Sequence, residues 1–300
     1  MGRPPATRTP PPTLSAMSIS RPIAIALVVA VTLAGCSPQD EADPGSAPSG
    51  VACTKESLPT QTPGRLTIAT DEPAYEPWFR QDKPDNGEGF EAAVAYAVAQ
   101  RLGYAHDDVT WTRVKFDSAI APGPKKFDFD INQFSITDER KQAVDFSAPY
   151  YLVRQTVIAL KSSKIAGKGS LADLKDAVLG AQVGTTSYQA ITDVIKPDRK
   201  PQVYNSNEDA KKALQNGQID GLVVDLPTAF YITSAELTDA TVVGQVPQVG
   251  APEAFGLLLD KDSPLTSCVS TVVSQLDKDG TFKQLEQKWL AQVAGATELT

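Results

Sequence analysis

Tyr151-Leu152-Val153-Arg154-Gln155-Thr156-Val157-Ile158-Ala159-Leu160 reads as one extended run, rich in the aromatic and β-branched residues that suit strands. It stands between two series of short β-rich segments alternating with helical periods, a pattern that predicts an α/β fold with largely parallel sheets. In the first series, residues 66–70, 109–114 and 127–131 are expected strands. Phe90, Ala93, Val94, Ala97, Val98 and Leu102 keep helical spacing up to Gly103, and a short helix begins near Thr137. The second series starts at Ser170, with strands expected at 178–183, 201–204, 221–224 and 241–243. Helices lie between them at 171–176, from Ser187 to before Pro197, from the Ser206-Asn207-Glu208-Asp209 N-cap signal to Asn216-Gly217, and after Leu226. A last stretch has an extended run at 254–259, a helix starting at Ser263-Pro264 and broken by Gly280, and a final helix presenting Phe282, Leu285, Trp289 and Val293. Two such series predict two lobes, one built from 64–152 plus 250–300 and the other from 153–249. Two extended crossings would join them as a hinge.

Ligands of open α/β sheets gather beyond the carboxyl ends of the strands. Asp71, Ser135, Thr185 with Thr186, and Asp225 each follow an apolar strand directly. Singly, each is also a good turn former or helix cap. Arg140 separates the two readings. Thr137-Asp138-Glu139-Arg140 looks like a helix start, where a cation opposes the macrodipole by ~0.3–1 kcal/mol. Backbone N–H groups and a guanidinium converging there make an anion site; a salt bridge to Asp138 or Glu139 is the alternative. Asp225, on the other lobe, is the partner for a cation. An anion reader facing a cation reader predicts a small zwitterion, an α-amino acid.

Gly89-Phe90-Glu91, Ile136-Thr137-Asp138-Glu139-Arg140, Val144-Asp145-Phe146-Ser147-Ala148-Pro149-Tyr150-Tyr151 and Gly184-Thr185-Thr186 together resemble the amino-acid-type family of extracellular solute-binding proteins. The likeness runs in order over roughly residues 64–290. It implies a two-lobed, type II periplasmic-binding-protein fold that closes around one ligand, and a partner permease with its ATPase. It also implies that Arg140 clamps the ligand carboxylate, with Ser135 beside it and Thr186, next to Thr185, donating from the second lobe. Asp225 would hold the ammonium, Tyr75 and Phe116 would wall the ligand, and Asp71 would touch its side chain. Gln133 stands where many members have Gly, and Gln182 where several have a basic residue, so the amino acid itself stays open; Asp71 and Gln133 lean towards a polar or cationic one. Trp78 has no counterpart and is expected at the mouth. No enzymatic activity and no cofactor are expected. The alternatives are a ligand-sensing module for a signalling partner and a cyclohexadienyl or arogenate dehydratase-like enzyme with Asp71 as its acid.

Before all this, Arg21 and the apolar stretch from Ile23 to Leu33 read as a secretory signal, about half the roughly 20 residues a membrane span needs. Met17 is an alternative start. Leu33-Ala34-Gly35-Cys36 resembles the lipobox of bacterial lipoproteins, which implies a lipid on Cys36 and a body held at the outer face of the membrane, with 36–63 as tether. Export to an oxidising compartment leaves Cys53 and Cys268 as a disulfide or as two free thiols, and the bridge would tie the end of the chain to the first lobe. His106 is the only histidine, so a zinc site is not expected. Without Arg3, Arg8 and Arg21, the mature part keeps 25 of 28 basic residues against 36 acidic ones, net −11. That surface is unsuited to nucleic acid, and a monomer is expected.

Overall fold

The computed structural model describes residues 53–291, 293 and 295–300. Cys36, the signal stretch and tether residues 36–52 lie outside them. Strands β1 (Leu66–Thr70), β2 (Val109–Arg113), β3 (Phe129–Asp130), β4 (Asp145–Leu152) and β10 (Ala254–Leu259) form one sheet in the order β2-β1-β3-β10-β4. Strands β5 (Gln155–Leu160), β6 (Leu179–Gln182), β7 (Gln202–Tyr204), β8 (Gly221–Asp225) and β9 (Ala240–Gln245) form the other, β7-β6-β8-β5-β9. In both sheets the strands of the β/α series run parallel, and the strands flanking the crossings pair antiparallel. The carboxyl ends of the parallel strands carry the site.

The helices are α1 (Phe90–Arg101), α2 (Phe116–Ile120), α3 (Thr186–Gln189) continuing into a π-helical turn, α4 (Asn207–Gln215), α5 (Leu226–Tyr231), α6 (Thr266–Lys278) and α7 (Thr281–Trp289). The first lobe's core packs Phe90, Val94 and Val98 of α1 with Ile68, Phe129 and Phe255 of the sheet and Val269 and Val273 of α6. Gly89 makes the start of α1 possible. Its φ is +100°, and a Cβ there would meet the Trp78 carbonyl oxygen at 2.4 Å. That carbonyl instead accepts the Glu91 N–H at 2.9 Å and sets Glu91 inside the protein, 0 % exposed.

Several expectations change, among them the helix expected at 171–176, which is a 3-10 turn at Ala172–Leu174. The extended run begins earlier, at Asp145, because β10 pairs along all of β4 from Asp145 to Leu152. The helix expected near Thr137 shrinks to a 3-10 turn at Arg140–Gln142. The helix expected at Ser263-Pro264 starts at Thr266, after a turn closed by its N–H on the Ser263 carbonyl at 3.1 Å. Residues 53–63 are part of the body, not of a tether. Cys53 is bridged to Cys268, Leu58 is buried in the first core, and the Gln61 N–H donates to Asp128 at 2.7 Å.

The chain crosses between the sheets after β4 and after β9, and then once more. Residues 297–300 were expected with the first lobe but sit on the second. The Gln245 N–H donates to the Thr297 carbonyl at 2.8 Å, and the Leu299 N–H donates back to Gln245 at 2.9 Å. Thr300 exchanges bonds with Gly169 and Leu171. Leu299, 2 % exposed, fills the space above Gly244, where a Cβ would lie 2.8 Å from its side chain.

The Cys53–Cys268 bridge closes a sequence separation of 215 residues. Replacing both with Ser should lower the unfolding free energy by ~2–5 kcal/mol, read as a lower urea midpoint. An unchanged midpoint would show that the packing of residues 53–63 needs no bridge.

Candidate functional site

Arg140 follows the loop that leaves β3 and is 8 % exposed. Its guanidinium donates to the Ser135 carbonyl at 2.7 Å and, across the cleft, to the Gly184 carbonyl at 2.9 Å. The Phe116 ring lies 5.2 Å from its central carbon, and Phe116 stacks on Phe134 with ring centres 5.0 Å apart. Burial lowers the Arg140 pKa, while Glu253, Asp225 and Glu139 hold it up. The turn's own N–H groups are not the anion site expected of them. Those of Arg140 and Lys141 go to the Thr137 hydroxyl and carbonyl, and Asp138 pairs with Lys141 instead of Arg140. A three-residue turn has too few aligned peptides for a macrodipole argument. Any anion binding rests on the guanidinium.

Asp225 ends β8 and precedes α5 without capping it. Its Oδ1 accepts from Gln155 Nε2 at 2.8 Å. Burial raises its pKa well above the usual carboxylate range, and Glu253 and Glu91 push the same way against the Gln155 hydrogen bond and Arg140. Arg140 and Asp225, from opposite lobes, border one cavity of about 30 Å³. Asp71, Tyr75, Phe116, Gln133, Gln182, Thr185 and Thr186 also line it. Ser135 lies just behind, with its hydroxyl 3.2 Å from that of Thr186 and donating to Glu253 at 2.6 Å. The Thr185 hydroxyl is occupied locally: it donates to the Gln182 carbonyl at 2.7 Å and caps α3 by accepting from the Tyr188 N–H.

Asp71 is only partly exposed, and burial is the first cause of its raised pKa. Its oxygens accept the N–H groups of Glu72 at 2.6 Å and Phe116 at 3.3 Å. The Tyr75 hydroxyl accepts the Glu208 N–H at 3.2 Å across the cleft, and burial pushes its pKa up to about 12. Gln133 adopts φ +48°, the left-handed conformation that suits glycine. Glu91 holds it there, accepting its backbone N–H at 2.8 Å and its side-chain amide, while Tyr150 donates to Glu91 at 2.5 Å. Trp78 is not at the mouth. It is 0 % exposed in the first core, and its indole N–H reaches Thr228 of the second lobe at 2.9 Å.

The lobes are thus closed on each other by Arg140–Gly184, Ser135–Thr186, Tyr75–Glu208 and Trp78–Thr228. Asn132, Ser187 and Asn207 line the cavity too, and Gln155 and Glu253 stand behind it; none was anticipated from sequence. Gln155 was hidden inside an apolar strand. Glu253 is the only acid between β9 and β10, a signal that could have been used. Among the described residues no cluster of His, Cys, Asp or Glu could hold a metal ion, and no helix is long and apolar enough to cross a membrane.

Residues 66–292 match the model of the family described as bacterial extracellular solute-binding proteins, family 3. The chain is 30% identical over 213 residues to the ABC transporter arginine-binding protein 1 of Escherichia coli K12, covering 68% of this chain and 82% of that one. It is also similar to a solved ancestral arginine-binding protein bound to arginine, with TM-score 0.62 and 29% identity over 75% of this chain and 97% of that one. A third likeness is to the ancestral amino acid-binding protein AncCDT-1, a precursor of cyclohexadienyl dehydratase. There the TM-score is 0.61 and the identity 32%, over 75% of this chain and 94% of that one.

Burial is the main reason the Glu91 carboxyl is pushed up from 4.5 to about 7. A carboxyl raised on folding supports the folded state while protonated and loses that support as pH climbs from its unfolded to its folded value. Between pH 4.5 and about 7, wild type should therefore lose on the order of 3 kcal/mol relative to Glu91→Gln. Parallel stability–pH curves for the two proteins would refute this.

Proposed function

Since the chain belongs to family 3 of the bacterial extracellular solute-binding proteins, we propose that it captures a free amino acid with a cationic side chain and delivers it to an import permease driven by an ATPase. The observation that carries this reading is the pairing of the buried Arg140 guanidinium with the half-buried Asp225 carboxyl, brought to one cavity from separate lobes. Arg140 has a planar fork matched to a carboxylate, and a ligand carboxylate would meet it beside the Thr186 hydroxyl. Asp225, with no capping duty, would take the ammonium. Tyr75 and Phe116 would flank the ligand body.

The preference for a cationic side chain comes from the surplus of acids. Asp71 lines the cavity and Glu253 lies behind it, against the single guanidinium of Arg140. A cation entering this field is attracted and an anion repelled. The named Escherichia coli relative, an arginine-binding protein, is consistent with that preference. A lipid on Cys36 would keep the body at the outer face of the membrane, within reach of its permease. Dehydration on the same scaffold is the weaker reading. Burial raises the Asp71 pKa, as a proton donor would need, but both its oxygens are already tied to backbone N–H groups of its own lobe.

A thermal-shift screen of free amino acids tests the reading. A ligand at 1,000 times its Kd adds ~4 kcal/mol of stability. At ~2–4 °C per kcal/mol the midpoint should rise by roughly 8–16 °C for arginine or lysine and much less for neutral amino acids. No response to any amino acid would sink the proposal. Arg140→Ala should weaken binding by ~2–5 kcal/mol, since the ligand carboxylate is left buried without its partner; unchanged affinity by calorimetry would remove Arg140 from the site.

A further inference from the structure

The second crossing brings one acid, Glu253, into the hinge. Its Oε1 accepts the Ser135 hydroxyl at 2.6 Å, and both its oxygens lie 3.1 Å from Gln155 Nε2. The same Nε2 donates to Asp225 Oδ1 at 2.8 Å and stands 3.3 Å from the Thr186 hydroxyl. Gln155 cannot turn its amide round, because its Oε1 accepts the Ser187 hydroxyl at 2.6 Å. An amide nitrogen has two hydrogens, so acceptor atoms from two acids and a threonine compete for them. The other charged or titratable groups facing Asp225 are Glu91 on α1, Arg140 on its turn, and the phenols of Tyr150 and Tyr151 on β4. Arg140 is the only cation among them, and its hydrogen bonds go to two carbonyls, not to either acid.

We propose that Glu253 is a positioning residue that, across Gln155, helps keep a proton on Asp225 until the ligand's ammonium displaces it. Glu253 draws on the same Gln155 amide hydrogens that Asp225 uses and sets a second carboxyl near it, and both effects work against a bare charge on Asp225. When the ammonium docks, the Asp225 O–H bond breaks and the proton leaves to solvent. One positive charge enters and one departs. Binding is then proton-linked, and affinity for a cation rises with pH by up to tenfold per unit while one proton is released. This rests on Asp225 being the ammonium acceptor.

Calorimetry of the purified protein with L-arginine, at pH 5.5–8 and in buffers of different ionisation enthalpy, reads the protons released directly. Wild type should release protons on binding across this range, with a Kd that falls as pH rises. Glu253→Gln should release fewer protons than wild type at each pH and show a Kd that falls less steeply, while Glu253→Asp keeps the release. Binding without proton release in wild type overturns the proposal. So does equal release from wild type and Glu253→Gln, which would leave the burial of Asp225, or Glu91, as the source and give Glu253 no part in it. If wild type binds no amino acid at any pH, the ligand assignment falls first and this proposal with it, a result distinct from the other two.

Discussion

A guanidinium at 8 % exposure is an expensive thing to keep inside a protein, and much of this molecule is arranged around it. Arg140 is made tolerable by oxygen atoms from both lobes and by the Phe116 face beneath it. One of those oxygens, that of Gly184, is available only when the second lobe has come down on the first. Closure and the solvation of Arg140 are therefore one event. Asp225 follows the same logic, its charge helped by Arg140 and hindered by burial, Glu253 and Glu91. Asp130 shows the limit: it is wholly buried, and its pKa stands far above the usual range because of burial and because Asp71 and Glu91 are near. A cleft built this way holds protons where an ordinary surface would hold charges.

Gln133 shows how a side chain is made structurally sound in a turn that suits glycine. A side chain at φ +48° gives up the ease that glycine has there. Glu91 offsets this by binding both the backbone and the amide of Gln133, and Tyr150 completes the set. The turn is as firmly placed as a glycine turn, but its side chain is drawn back towards α1 instead of being loose in the cavity. Glu91 can do this because Gly89 admits the Trp78 carbonyl at the helix start.

The two-lobed plan was legible because strand and helix periods alternate twice on either side of one extended run. The cavity was legible too, since polar residues at the ends of apolar strands converge when parallel strands share a sheet. What sequence reading missed has physical causes. Thr137 promised a helix, but its hydroxyl and carbonyl take the N–H groups of Arg140 and Lys141, and the chain turns away after a single 3-10 turn. Gln155 looked like one polar residue in an apolar strand, and only the fold shows that its amide meets both crossings. Leu299 gave no periodic signal; its place was decided by a hole beside Gly244 in a sheet more than fifty residues earlier. Trp78, without a counterpart in the family likeness, was expected at the mouth, yet a core partner for its ring and a cross-lobe acceptor for its N–H were both within reach.

The return of residues 297–300 to the second sheet also changes what the molecule can report about itself. Cys53 is anchored in the first lobe and Thr300 rides on the second, although helix α7, only a few residues before Thr300, belongs to the first. Fluorescent labels attached at these two ends would be carried by different rigid bodies. The distance between them would serve as a built-in ruler for the clamshell angle, with no alteration inside the cleft.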